Sequence, residues 1–404
     1  MDRIEQDTYR LHRRAALFEG AYAAILWSAP EIARKALGAG HLLITLIVMA
    51  PAVALSFSLF AAGRVSATHP RRLLRTSALV GRLPILLLLI WTNNPWFLLA
   101  IVTIQAFAFI FIISSWNGVL RTNYTDANRG RLFGRASRFQ SISGAVVVLA
   151  SGLWAQQNPE AFRYFLPIAA VFGIVACFVF SRVPLREQSQ AAPPAVRLSS
   201  ARRLIGVLKN DRRFLQYEVG FFFYGMGFMA LGTAKPFITV DVLELDWLVL
   251  LGAKAIPSLA GIALAPFYGR VMDRIGAPRL GAIAFGGLVL YGIALALATG
   301  PVSYCVAEAV FGVVMTGVLI IWNMGPVAFA KPGEAMQYMS LHVALVGLRG
   351  ILGHPIGGWI AHSAGDPRYV IIFSSIMWIT GSVVMWRLGV RMRENSPNPE
   401  ADKG

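Results

Sequence analysis

The chain has 404 residues, of which 56% are hydrophobic and only 14% charged, with a mean hydropathy of +0.60. Soluble proteins are about a quarter charged, so the composition excludes a water-soluble globular enzyme or binding domain and points to lipid as the solvent. The net charge of +17 does not indicate a nucleic-acid partner, because the basic residues are spread between apolar runs instead of gathered on one patch, which is the pattern of membrane topology.

In lipid only helices and closed barrels satisfy their own backbone, and the apolar runs here exceed the roughly ten-residue alternating segments of a membrane barrel. Twelve helical spans are expected, at about 12–33, 38–62, 74–92, 96–120, 134–156 and 162–181 in the first half. The second half continues at about 214–238, 247–269, 279–299, 302–328, 335–361 and 368–388. The stretch 182–213, with Pro193-Pro194 and Ser199-Ser200, reads as a linker, and 391–404 as a polar tail. Residues 1–181 and 214–390 then form two domains of six helices each. The polar N-terminus, Met1 to Asp7, lacks a cleavable signal pattern.

Arg34, Lys35, Arg163 and Arg368 are the basic residues on one alternate set of connections, and Arg82, Lys235, Lys254 and Arg349 lie deeper within spans. The others fall at the termini and around the connections after spans 2, 4, 6, 8 and 10. The positive-inside rule then puts both termini in the cytoplasm and makes the span number even. Cys177 and Cys305 fall in apolar runs and read as small buried hydrophobes. His41, His342, His354 and His362 show no metal-ligand spacing. There is no phosphate-binding glycine loop and no nucleophile–base motif. Neither a metal nor a cofactor is expected, nor an enzyme or an ATP-driven pump.

The two halves repeat at one constant offset. Pro30 meets Pro236, Pro51 meets Pro257, Gly63-Arg64-Val65 meets Gly269-Arg270-Val271, and Trp116-Asn117 meets Trp322-Asn323. Gly144 meets Gly350 and Gly152 meets Gly358. After span 8 the chain reads Gly269, Asp273, Arg274, Gly276 and Arg279, which is Gly-x-x-x-Asp-Arg-x-Gly followed by a basic residue. After span 2 only Gly63, Arg71 and Arg72 keep this pattern, with Ala67, Thr68 and Pro70 at the Asp, Arg and second Gly positions. Arg129-Gly130-Arg131 precedes span 5.

On these residues the chain resembles the major facilitator superfamily of secondary transporters over essentially its whole length. The resemblance implies an all-α integral membrane fold of two pseudo-symmetric six-helix bundles, alternating access, and a central site near mid-bilayer. It also implies that the loop after span 8 approaches span 5. A carboxylate is favoured at a helix N-terminus, so Asp273, with Arg274 and Gly269 around it, is expected against the first turn of span 5, near Gly130, Arg131 or Arg135. A second gate of opposite polarity would pair Glu334, after Pro332-Gly333, with Arg71 or Arg72; the alternative is that these are solvated loop charges.

Charges inside a bilayer are costly and read first as functional. The architecture implied by the resemblance puts span 1 on the cavity. Glu19, with Tyr22 and Leu26 at helical spacing, is expected either to carry a proton or touch substrate, or to make a structural hydrogen bond. Gln105 and Trp116 share a face of span 4, and Glu308, Phe311, Met315 and Trp322 a face of span 10. Both faces, with Tyr224 in span 7, are assigned to the cavity. Asn117 and Asn323 read as packing residues. Arg349, also assigned to the central cavity, shares a face with His342, and Glu308 is the expected partner of Arg349 or Lys254. Lys235 is expected to reach the outer interface and Arg82 to snorkel to the cytoplasm.

One positive charge left over in the second half points to an anionic or carboxylate-bearing solute. Span 5 reads Ser143-Gly144-Ala145-Val146-Val147, without the Gly-Pro of the family's drug exporters; a similar pattern, Gly353-His354-Pro355-Ile356-Gly357-Gly358, falls in span 11, where packing accounts for it. The expectation is a monomeric, proton-coupled transporter of a small organic solute in a bacterial cytoplasmic membrane. The alternatives are a multidrug/proton antiporter and a non-transporting receptor or scaffold of the same fold.

Overall fold

The computed structural model describes residues 1–57, 69–90, 94–186, 201–331 and 334–394. Residues 63–68 of the first signature copy, the Pro and Ser pairs of the linker, Pro332-Gly333 and most of the tail lie outside the described residues. Among the described residues every element is helical. In the first half these are α1 (Arg3–Leu26), α2 (Ala29–Leu37), α3 (His41–Ser56), α4 (Pro70–Arg82), α5 (Pro95–Asn123), α6 (Asp126–Gln157) and α7 (Phe162–Phe180). They are followed by α8 (Ala201–Asn210), α9 (Arg212–Phe237), α10 (Trp247–Gly252), α11 (Ala255–Ile275) and α12 (Ala277–Ala296). The chain closes with α13 (Pro301–Phe329), α14 (Ala335–Ser363) and α15 (Tyr369–Glu394).

Among the described residues eight helical stretches are long and apolar enough to cross a membrane. The helices α1 and α9 fall outside that set because they carry ionisable residues along their length, Arg10, Arg13, Arg14 and Glu19 in one and Glu218 and Lys235 in the other.

Local chemistry sets the ends. Asp2, Asp211 and Asp246 cap α1, α9 and α10 by accepting backbone N–H bonds at 2.8–3.0 Å. Proline stands in the first turn of α2, α4, α5, α12 and α13, where its missing N–H costs nothing. Gly276, between α11 and α12, has φ +80°, a conformation that a side chain opposes. This is the physical reason for the second glycine of the signature.

Several helices depart from the expected spans. The first begins at Arg3 and breaks at Trp27–Ser28, not at about 33. Span 3 is α4 continued by a 3-10 stretch, Leu83–Leu89, and span 8 is divided into α10 and α11. Part of the 182–213 linker is the helix α8, which packs on α9 and α14.

The packing partners repeat between halves. Helix α1 lies on α6 and α7 as α9 lies on α14 and α15; α4 lies on α5 and α7 as α12 lies on α13 and α15. The halves meet along two seams, α3 with α14, and α6 with α10 and α11. Both seams are built on glycine. A Cβ on Gly350 would stand 2.3 Å from Ala52 Cβ, and one on Gly358 2.2 Å from Thr45 Oγ1. On α6, a Cβ on Gly152 would meet Trp247 O and Leu248 Cα at 3.1 Å. In the motif of span 11, a Cβ on Gly357 would meet the Ala230 carbonyl oxygen at 2.2 Å, so this stretch packs against α3 on one side and α9 on the other.

Candidate gate and transport site

The starts of α1, α6, α9 and α14 and the end of α11 lie at one end of the molecule, called here the signature end. At the opposite end the halves are tied by charge. The Arg34 guanidinium donates from Nε to both carboxylate oxygens of Asp241, at 2.9 and 3.0 Å. Lys254 pairs with Glu31 at 2.8 Å and donates to the Trp27 carbonyl at 3.1 Å. Lys35 donates to the Leu245 carbonyl at 2.6 Å. His41 of the first half stacks on Phe237 of the second, ring centroids 3.9 Å apart, and its ring lies 5.2 Å from that of His362. The break between α1 and α2 turns Glu31 and Arg34 toward the second half; the π turn Ile238–Val242 after α9 places Asp241 to meet Arg34.

The signature end carries no such tie. Among the described residues no hydrogen bond or ion pair joins the halves there. Asp273 and Arg274 are exposed, and Asp273 has no hydrogen-bonding or ionic partner among the described residues. A Cβ added at Gly130, Gly134 or Gly269 would meet nothing within 4 Å. The expected contact of Asp273 with the start of span 5 is therefore not formed in this conformation. The N-terminus of α6 holds a different carboxylate. Glu5 accepts from Thr125 N at 3.1 Å, Thr125 Oγ1 at 2.9 Å and Asn128 Nδ2 at 3.0 Å. Its side chain is 1% exposed. The helix N-terminus thus receives its carboxylate from α1, which starts nine residues earlier than expected and lies along α6. Arg131 donates to Asn128 Oδ1 at 2.7 Å, within its own helix. The proposed pair of Glu334 with Arg71 or Arg72 is also absent: Arg71 donates to the Val183 carbonyl at 3.2 Å.

Inside the first half, Arg82 does not snorkel. Its side chain is 0% exposed and grips Glu19 with both terminal nitrogens, at 2.7 and 2.8 Å. It also donates to the Gly173 carbonyl and lies over the Tyr22 ring, 4.1 Å from its centroid. A Cβ on Gly173 would stand 2.8 Å from Arg82 Nη1, so this glycine makes the recess that holds the guanidinium. A planar fork on a carboxylate, with a ring face beneath it, satisfies the charge where an ammonium could not. Trp116 stacks on Phe180 at 3.9 Å and meets the edge of His12 at 5.9 Å, within a packed cluster of α1, α4, α5 and α7. Gln105 is buried on α5 where Gly81 of α4 approaches it closely.

In the second half the expected pairing is corrected. Glu308, 1% exposed, pairs with Lys235 at 2.8 Å, and neither Lys254 nor Arg349 is its partner. Tyr304 and Phe311 flank the Lys235 ammonium. Arg349 donates to the Phe221 carbonyl at 2.8 Å and lies between the Phe221 and Tyr224 rings. Gly225 leaves the room it needs: a Cβ there would be 2.2 Å from Arg349 Cδ. Tyr224 stacks on Phe285 at 4.6 Å, and its hydroxyl lies 3.9 Å from Met315 Sδ. Trp322 meets the edge of His342 at 5.5 Å. Beside this group, Glu218 accepts from His342 Nδ1 at 2.8 Å, and the Phe221 ring, which borders both His342 and Arg349, brings the carboxylate and the guanidinium into one buried cluster. The positive charge expected to be left over is thus opposed by Glu218.

Sequence reasoning missed Glu218, Glu31, Arg34, Asp241 and Glu5. The first four sit within a few residues of span ends, where a charge reads as solvated. What could have found them is their register with a basic residue at the corresponding depth of another span, which needs the packing to be known. Among the described residues no group of three or more His, Cys, Asp or Glu is placed to hold a metal ion.

Long apolar helices in two sets of repeated packing, buried ion pairs between helices, and a charged closure at one end define an integral membrane transporter. The family model of the Major Facilitator Superfamily matches residues 15–333, and the chain belongs to that family. It is 22% identical over 340 residues to the multidrug resistance protein MdtG of Proteus mirabilis (strain HI4320), covering 81% of this chain and 79% of that protein. A mutant form of the nucleoside transporter NupG superposes with a TM-score of 0.77 at 11% identity, covering 95% of this chain and 99% of that one. A proton dependent oligopeptide transporter superposes with a TM-score of 0.72 at 14% identity, covering 97% and 100%. At these identities the two structures speak for the fold alone.

Proposed function

We propose that the protein moves a small organic solute, coupled to protons, by rocking two six-helix halves of a twelve-span molecule about a central site. The observation that carries this reading is the asymmetry of closure. Charged pairs join the halves at the end bearing Arg34 and Asp241, while at the other end, among the described residues, Asp273 has no hydrogen-bonding or ionic partner and a Cβ on Gly269 or Gly130 would meet nothing within 4 Å. The family signature is then half of a closure made in the opposite state, as alternation requires. The excess of basic residues at the signature end supports a cytoplasmic position for that end and for both termini, in a bacterial cytoplasmic membrane. On this reading the described state, tied at the Arg34–Asp241 end, is the inward-facing one.

With Glu218 opposing Arg349, net charge gives no reason to favour an anionic solute. We infer recognition chiefly by aromatic and thioether surfaces: half-buried Phe228 and Met315 border Tyr224, Phe311 stacks on Phe228, and half-buried Trp322 lies against His342. The same surface, with the MdtG relationship, supports a second reading as a multidrug/proton antiporter. A thermal-stability screen of purified protein against nucleosides, peptides and lipophilic cations tests both, because a ligand of the folded state raises Tm by mass action. Stabilisation by one chemical class supports a dedicated carrier, and stabilisation by several unrelated cations supports the antiporter. No stabilisation by anything, with no flux in proteoliposomes, would favour a scaffold.

A further inference from the structure

Four carboxylates stand among the basic side chains buried between the helices, and their partners differ in kind. Glu19 is held by Arg82, Glu308 by Lys235 and Glu31 by Lys254, each a permanent cation under ordinary conditions. Glu218 is paired with His342, the one partner type whose charge changes in the physiological range. Both side chains are almost wholly buried, at 2% and 0% exposed. His342 Nδ1 lies 2.8 and 3.1 Å from the two carboxylate oxygens. A neutral imidazole that donates Nδ1–H to Glu218 keeps its lone pair on Nε2, and Nε2 is buried with no hydrogen-bond partner.

We propose that the Glu218–His342 pair is the proton-carrying site of the transport cycle and that His342 Nε2 is the atom that receives the proton. The assignment rests on the proton-coupled reading above. A proton taken from water at the signature end bonds to Nε2, the imidazole becomes imidazolium, and Glu218 remains a carboxylate. Every group around the pair fits this role. From α14 come Arg349 and Tyr338, whose hydroxyl is committed to Asp211 at 3.0 Å. From α9 come Tyr217, whose hydroxyl donates to the Ile321 carbonyl at 2.8 Å, Tyr224 and the edge of Phe221. From α13 and α12 come Trp322 and Phe285, which carry no charge. Unprotonated, Glu218 and Arg349 oppose each other and the imidazole is neutral; protonation adds one positive charge to an apolar site. Such a state is costly unless water or a solute reaches it, and this links the proton to the conformation.

The test uses full-length protein with 15N-labelled histidine in nanodiscs, without solute, and the proton flux of proteoliposomes with solutes that the stability screen identifies. Among the six imidazoles, one that titrates between pH 5 and 8 should vanish in His342→Gln and move its midpoint in Glu218→Gln, while His354→Asn leaves it unchanged. In proteoliposomes His342→Gln should lose solute-driven proton movement but keep solute-induced stabilisation. If wild-type protein moves protons and His342→Gln moves them equally, the site assignment is wrong. If His342 titrates but no bound solute drives protons in the wild type, the transport reading fails and not the proton site.

Discussion

Arg82 and Glu19 show how a single buried pair constrains the molecule. The guanidinium has no route to water, and its carboxylate, its carbonyl and its ring leave no direction unsatisfied except at Nε. Removing one member of a buried pair strands the other and costs about 3–5 kcal/mol. We expect Arg82→Met to lower Tm strongly and Glu19→Gln less, with the double variant recovering part of the loss; thermal unfolding of the three proteins checks this. Because Glu19 is committed to Arg82, Glu19→Gln should alter stability while the pH profile of transport stays as in the wild type. At the N-terminus, Asp2 caps α1. Its carboxyl is held below the usual carboxylate range, first by the hydrogen bond from Glu5 N and then by Arg186. A depressed value contributes stability above the unfolded pKa and loses it as pH falls through the folded one. The protection factors of the amides at residues 3–8, taken relative to the intrinsic rates, should therefore fall only below about pH 4, and Asp2→Ala, which removes the capping oxygen, should show the lower protection already at neutral pH.

At the scale of elements, the seams between halves are surfaces without side chains at their closest points. Helices α3 and α14 approach so that Ala52 occupies the space of a Gly350 side chain, and Ser56 and Thr45 do the same at Gly347 and Gly358. Overpacking such a seam costs about 1–3 kcal/mol. Gly350→Val should lower Tm by that measure and push α3 and α14 apart, which faster labelling of a cysteine at Ala52 would report. Gly134→Val, where nothing lies within 4 Å, should leave both unchanged. The glycines of α14 would therefore tolerate substitution according to which neighbour they face, and not according to their position in a motif.

At the scale of the molecule, the helical class and the membrane character were legible because apolar run length, prolines and the spacing of basic residues are local signals. Gly276 was legible as a turn for the same reason. The pairing of charges was not. Nothing local distinguishes Glu308 facing Lys235 from Glu308 facing Lys254, since both lysines fall at comparable depths on helices near α13. Glu5 was hidden because the polar start of α1 resembles a solvated tail, although α1 carries it to the helix terminus assigned to Asp273. The opposite end was unread because Arg34 and Lys35 looked like ordinary loop cations. The missing contact of Asp273 has a further cause: the described state is tied at the end where the signature is absent.

That closure is the centre of the account, and the distance between spin labels at positions 130 and 269 tests it most directly. Both sites have free space around them and lie on opposite halves at the signature end. In proteoliposomes the pair should show two distances, the longer one dominant without solute. The shorter one should gain population with a bound solute and with Arg34→Ala, which weakens the tie to Asp241. A single distance that neither solute nor Arg34→Ala changes would contradict alternation between these two closures.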